Sequence, residues 1–219
     1  MNWINRLERK FGRYAIPNLM YYIVGGTAAA YLIQMVLRIP ITYYLAFIPG
    51  MIMEGQIWRV ISFVFIPPAS SMLFIFFVLY FYYMIGTTLE NEWGSFKFNL
   101  YYLFGMVGTI IAAFITGYGT SFYLNLSLFL GFAYLFPDVE VHLFLILPIK
   151  IKWLAYLNWA FFAFTILFGS MGERLAVIAS LINFFIFFGK DLIDYIKFRR
   201  RYGNTRKNFK REMKRFKRY

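Results

Sequence analysis

The sequence predicts an all-α integral membrane protein with six transmembrane helices. Three observations carry that prediction. Hydrophobic residues make up 61% of the 219 and charged residues 15%. A water-soluble domain of this length cannot bury so much apolar surface, so lipid must solvate part of the chain. The apolar residues fall in six runs close to the roughly 20 that a helix needs to cross a hydrocarbon core of about 30 Å. Positive charge is gathered at the two ends: thirteen Lys or Arg against three acids from Lys190 onward, and four basic residues against one acid before Gly25, with the middle balanced.

The runs are roughly Leu19–Leu37, Met72–Leu89, Phe96–Ile115, Phe122–Phe136, Trp153–Phe168 and Leu175–Gly189. The first follows "MNWINRLERKFGRY", which is charged and aromatic, and no small-residue cleavage site comes after it. It is therefore expected to be a retained span and not a signal peptide. The basic ends belong on the cytoplasmic side, and an even number of spans puts both there. Lys97, Lys150 and Lys152 then face the cytoplasm too, while the loop with only Arg38 and Arg59 and the uncharged "GYGTS" turn face outward. The expected organisation is a cytoplasmic segment 1–18, a six-helix membrane domain 19–189 with a long outside loop 38–71, and a basic cytoplasmic tail 190–219.

Within the outside loop, "IPITYYLAFIPGMI" is apolar but broken by Pro40, Pro49 and Gly50. Those residues interrupt any spanning helix, so short pieces lying in the interface are expected, with Tyr43, Tyr44 and Trp58 at headgroup depth. The last three runs are short, about 22 Å for fifteen helical residues. They also carry polar groups: Asn125 and Ser127 in the fourth, Ser180 and Asn183 in the sixth. Either these helices lie inside the bundle or the bilayer thins around them.

Composition also narrows the chemistry. There is no cysteine and one histidine, His142, in an expected cytoplasmic loop, so no metal or cofactor site is expected. In the tail, Gly203-Asn204 marks a break and Thr205 a cap. Phe209, Met213 and Phe216 then share one helical face. Lys207, Lys210, Arg211, Lys214, Arg215, Lys217 and Arg218 fill the rest. That pattern suits an anionic leaflet, each cation contributing about 1 kcal/mol near the surface. A cytoplasmic protein partner for the tail is the other reading. No groove-reading motif accompanies the charge, so nucleic acid is not an expected partner.

Several motifs occur in order. Trp58-Arg59 stands in the long first loop, within the segment "GQIWRVISFVF". The junction between the second and third runs, "GTTLENEWGSFKFNLYYLFG", carries Gly86, Glu90, Gly94 and Ser95 in a G-x-x-x-E-x-x-x-G-S pattern. "FPDVEVHLFLILPIKIKWL" precedes the fifth run. Together these resemble the rhomboid superfamily over about Gln56 to Phe188, and the resemblance implies a six-helix rhomboid-like bundle. Active members of that family are intramembrane serine proteases. They use a serine in G-x-S-G at the start of the fourth span, a histidine in A-H-x-x-G on the sixth, and a His and an Asn near the oxyanion on the second.

Matched by register, this chain keeps none of the four. The serine position falls on Tyr123, eight before Gly131, and the histidine position on Ser180 in "ASLIN". The other two fall on Phe74 and Val78, sixteen and twelve before Glu90. A serine hydroxyl is a poor nucleophile without a base to take its proton. The resemblance therefore implies a rhomboid pseudoprotease, most similar to the Derlins, which have a Q-I-W-R-type segment and lack the dyad.

Derlins act in retrotranslocation from the endoplasmic reticulum, so the implied function is binding of transmembrane client segments in membrane-protein quality control or translocation. A bacterial plasma membrane suits the Lys/Ile/Phe-rich composition, with the endoplasmic reticulum as alternative. The competing functions are an atypical intramembrane serine protease using Ser127 or Ser180, and a scaffold subunit of a membrane complex. Asn125, Ser127, Ser180 and Asn183 are candidate client contacts or else interhelical hydrogen bonds. Trp58 and Arg59 are read as an interfacial anchor or as a brace for the loop. Glu90 is expected to bond the start of the third helix, with Gly94 supplying the turn.

Overall fold

The structure is a computed structural model, and it describes residues 2–68, 71–143, 147–190 and 193. Helix α1, Asn2–Phe11, is amphipathic and is followed by a 3-10 turn, Gly12–Tyr14. Its Ile4 is buried, its Trp3 ring meets Phe104 edge-on, and Glu8 pairs with Lys97 at 3.6 Å. Helix α2, Leu19–Leu37, starts and stops at left-handed residues, Asn18 and Arg38. The stretch from 38 to 71 then forms short pieces: α3 Ile41–Leu45, α4 Pro49–Met53, α5 Arg59–Ser62 and a 3-10 turn Phe63–Phe65. The prolines stand where those pieces begin, because a missing N–H costs nothing in a first helical turn.

Helices α6, Met72–Trp93, and α7, Ser95–Thr116, meet at Gly94. Gly94 has φ 82° and ψ 154°, a region essentially reserved for glycine. After the turn come α8, Phe122–Leu135, and later α9, Ile151–Phe168, and α10, Met171–Lys190. Among the described residues five helices, α2, α6, α7, α9 and α10, are long and apolar enough to cross a membrane. The protein is thus a mostly helical membrane protein. Helix α8 is shorter, with 14 residues.

Two expectations are corrected here. The fifth and sixth runs are not short: α9 has 18 residues and α10 has 20, or about 27 and 30 Å at 1.5 Å per residue. Their first turns hold charged residues, Lys152 in α9 and Glu173 and Arg174 in α10, which hydropathy alone trims away. At α10, Ser170 and Glu173 form a capping box: the Glu173 N–H donates to Ser170 Oγ at 3.3 Å, and the Ser170 N–H donates to Glu173 Oε2 at 2.8 Å. That starts the helix before the apolar run. Second, the segment before α9 is not a plain loop. Strands β1, Glu140–Leu143, and β2, Leu147–Lys150, pair antiparallel, Glu140 opposite Lys150, with His142 in β1. The alternation in "VEVH" and "PIKI" satisfies the period of two that a strand needs.

Contacts sort the connections to two ends. Phe47 and Gly119 exchange backbone hydrogen bonds of 3.1 and 2.9 Å, so the first loop and the α7–α8 turn lie at one end. The Asn18 N–H, Glu90 and Ser95 meet at the other. Nine of the fourteen residues of α8 are buried, which makes this short helix the centre of the bundle. By contact density Met1–Phe184 forms one compact unit and Phe185–Tyr219 a second. The described part of the second is the end of α10 and Ile193. The tail residues Lys207, Lys210, Arg211, Lys214, Arg215, Lys217 and Arg218 lie outside the described residues, as do Phe209, Met213 and Phe216.

Candidate functional site

The Trp-Arg pair caps a helix. The last carbonyls of α3 have no partners within that five-residue helix, and the segment from Gln56 to Ser62 supplies them. Arg59 Nη1 donates to the carbonyls of Tyr43 at 2.6 Å and Ala46 at 2.8 Å. Trp58 Nε1 donates to Tyr44 at 3.3 Å, and Ser62 Oγ to Leu45 at 3.0 Å. Four consecutive carbonyls are thus satisfied by three side chains. Arg59 is 1% exposed. Its Nε donates to Gln56 Oε1 at 2.8 Å, and its guanidinium lies 5.7 Å from the Tyr43 ring centroid. A planar five-donor fork suits several acceptors at fixed angles. Trp58 itself is half exposed.

At the opposite end Glu90 is a staple. Its Oε1 accepts from the backbone N–H of Asn18 at 2.7 Å and from Ser95 Oγ at 2.6 Å. One buried carboxylate therefore ties the end of α6 to the starts of α2 and α7, where positive helix ends favour negative charge. Gly86, one turn before, faces Met20 so closely that a Cβ there would collide with the Met20 side chain.

The polar residues of the fourth and sixth runs meet in the interior. Asn125, Ser127, Ser180 and Asn183 are all buried. Ser127 Oγ donates to the Ser180 carbonyl at 2.9 Å and lies 2.6 Å from the Tyr101 hydroxyl. Asn183 Nδ2 donates to the Tyr101 carbonyl at 3.2 Å. Gly105 makes this junction possible, since a Cβ there would run into Leu124 and approach Asn183 Nδ2 to 3.1 Å. Asn125 lies within reach of the Tyr82 hydroxyl, with its amide oxygen unpaired. The Ser127 and Asn183 side chains, with the backbone carbonyl of Ser180, thus tie α7, α8 and α10 together, while Asn125 reaches Tyr82 of α6. A client segment cannot touch them unless those helices separate. Neither partner of Ser127 is a base that could take its proton near neutral pH.

The other positions matched by register in the sequence lie elsewhere. Tyr123 turns to α9, its ring parallel to that of Phe161 at 6.4 Å. Phe74 is exposed and Val78 half-buried on α6. Tyr123 instead lines a cavity of about 750 Å³ at the first-loop end of the bundle, with Thr109, Thr116, Phe161, Ser170 and Glu173. Among the described residues no group of three or more His, Asp or Glu could hold a metal ion.

Three contributors carried no motif in the sequence. Tyr101 is the hub of the interior junction, Ser62 completes the α3 cap, and Asn158 Nδ2 donates to the Leu126 carbonyl of α8 at 3.0 Å. Asn158 and Tyr101 had one available signal, a polar group inside an otherwise apolar span, which requires an internal partner. Compared with known proteins, the sequence matches no protein-family model, and no curated protein matches it.

Proposed function

We propose that this chain is a six-span, rhomboid-like and most nearly Derlin-like membrane protein without proteolytic activity. It binds transmembrane segments of client proteins and assists their quality control or translocation. Both termini lie in the cytoplasm, in a bacterial plasma membrane or alternatively the endoplasmic reticulum. The basic tail rests on anionic lipid or recruits a cytoplasmic partner.

The observation that carries this reading is the cavity of about 750 Å³ at the first-loop end. Tyr123 occupies its wall where a protease of this family would present its serine. Threonines and Glu173 offer polar contacts there to a segment too polar for lipid. Supporting it, Trp58, Arg59, Glu90, Gly94 and Ser95 act on backbone and helix ends, which is fold maintenance. Local thinning of the bilayer retains a single basis, the 14 residues of α8, and α8 is enclosed by its neighbours. The cavity therefore bears the proposal, and thinning is secondary.

Photoreactive residues at Thr116 and Tyr123, with a control at Ile111 on the exposed face of α7, test it in native membranes. Membrane proteins captured at the two cavity positions but not at the control are expected. Lipid adducts alone at all three positions would defeat the client-binding reading. A serine-directed fluorophosphonate should leave the protein unlabelled. Labelling lost in Ser127→Ala or Ser180→Ala would restore the protease alternative.

A further inference from the structure

A second concavity, unrelated to the interior junction, lies between α2 and α7. Its volume is about 760 Å³. Leu19 and Ile23 of α2 form one wall, and Phe96, Leu100, Leu103 and Met106 of α7 form the other, at the spacing of one helical face. Phe11, Tyr14 and Ile16 close it at the N-terminal end, and Ile61, Val64 and Phe65 of the first loop close it above. Its floor is buried: Ile23 and Val64 are each 5% exposed. Its rim is open, with Tyr22 at 58%, Leu103 at 54% and Ile61 at 62% exposed. The groove thus opens sideways from the bundle.

Two features specify the occupant. The first is length. Phe96 and Met106 are ten residues apart on α7, or about 15 Å, which is half of a hydrocarbon core of about 30 Å. The groove is one leaflet deep, ending under the loop. The second is charge at its mouth. Lys10 Nζ lies 5.3 Å from the Phe11 ring centroid, and the Arg13 guanidinium 4.8 Å from that of Tyr14. Both cations therefore sit beside the rings that form the mouth, and both are exposed. The acid on α1, Glu8, is paired with Lys97.

We infer that this groove holds one acyl chain of an anionic phospholipid from the leaflet on the N-terminal side, with its phosphate between Lys10 and Arg13. The inference depends on the geometry of α1, α2 and α7 and not on client binding, so either can fail without the other. Charge reversal confined to Lys10 and Arg13 separates this site from any lipid attraction by the tail.

The full chain is reconstituted in vesicles of equal phosphatidylglycerol and phosphatidylcholine, with a diazirine-bearing residue at position 103 and, separately, at Ile111. Each cation near the surface favours anionic lipid about fivefold. The adducts at 103 should therefore be enriched in phosphatidylglycerol on the order of tenfold or more, while those at 111 follow the bulk ratio. Lys10→Glu with Arg13→Glu, both on exposed side chains, should return position 103 to the bulk ratio with the melting temperature unchanged. Bulk-ratio adducts at 103 in the unaltered protein would overturn the inference. So would enrichment that survives charge reversal. Adducts at 103 to a second copy or to another protein segment would give the groove a different occupant and overturn it equally.

Discussion

The Ser127 hydroxyl of α8 lies 2.9 Å from the backbone carbonyl oxygen of Ser180 on α10, and 2.6 Å from the Tyr101 hydroxyl of α7. Three helices are joined at one side-chain oxygen. The pair occupies the facing stretches of the fourth and sixth runs, yet its chemistry is that of a clamp, with a carbonyl as acceptor and a phenol as neighbour. Removing it should therefore be felt as stability. Ser127→Ala is expected to lower unfolding stability in detergent by about 1 kcal/mol, within the range for interhelical hydrogen bonds in membranes. Tyr101→Phe should cost a similar amount. The double variant should cost less than the sum, because both changes delete one shared contact.

Arg59 should be costly to truncate, because one side chain serves three acceptors. Arg59→Ala leaves the buried carbonyl of Ala46 and the part-buried one of Tyr43 without this donor, a loss of about 2 to 3 kcal/mol. Arg59→Lys keeps the charge but not the fork, and should fall between the two. Limited proteolysis across residues 38–71 with a denaturation midpoint reads both effects. Equal behaviour of the lysine variant and the unaltered protein would count against the cap.

The staple and its glycine separate by mechanism. Glu90→Gln retains an acceptor for Asn18 and Ser95 and should cost under about 1 kcal/mol, whereas Glu90→Ala strands both donors and should cost about 2 to 3 kcal/mol. Gly94→Ala places a Cβ at φ 82°, worth about 1 to 3 kcal/mol of strain. Thermal unfolding in detergent ranks the three.

Gly86 packs on Met20 at a helix–helix contact. Gly86→Ala is expected to destabilise by about 1 to 3 kcal/mol through overpacking. Met20→Ala on that background should recover part of the loss, because it removes the side chain that collides. Absence of any recovery would show that the cost lies in backbone shifts elsewhere.

The Lys152 ammonium, bonded at 2.8 Å, holds the Asp138 carboxyl below the usual carboxylate range. The folded-state pKa is depressed, so the contribution is present above the ordinary value and is lost as pH falls through and below about 4. Both groups are well exposed, so the effect is small and weakens with salt. Amide exchange at Ile151, whose N–H donates to the Val139 carbonyl at 2.9 Å, should quicken below that pH. In Asp138→Asn it should be nearly independent of pH there, once the intrinsic exchange rate is divided out.

Most of the long helices were legible from local properties. Leu19–Leu37 agrees residue for residue with α2, because an apolar run bounded by polar residues defines a helix through its own solvation. The broken loop was legible for the same reason, since proline and glycine act where they stand. The starts of α9 and α10 were not, because Lys152 lies in the first turn of α9 and the Ser170–Glu173 capping box opens α10, and hydropathy discards both. The β1–β2 hairpin was missed because an apolar, alternating segment beside a membrane span reads equally as loop. Asn125, Ser127, Ser180 and Asn183 stood out as polar groups in apolar runs, but their partners did not.

By itself, then, the sequence determined that lipid surrounds this chain, where most of its helices lie, and that glycine and acid mark the α6–α7 joint. These follow from transfer free energy and backbone sterics, which each residue carries wherever it is placed. Only the tertiary structure decided that Arg59 ends on the carbonyls of α3, that Glu90 reaches back 72 residues to Asn18, and that Ser127 meets the Ser180 carbonyl. A hydrogen bond needs its partner within about 3 Å. Which groups come that close is settled by how helices distant in sequence pack, and no local pattern records it.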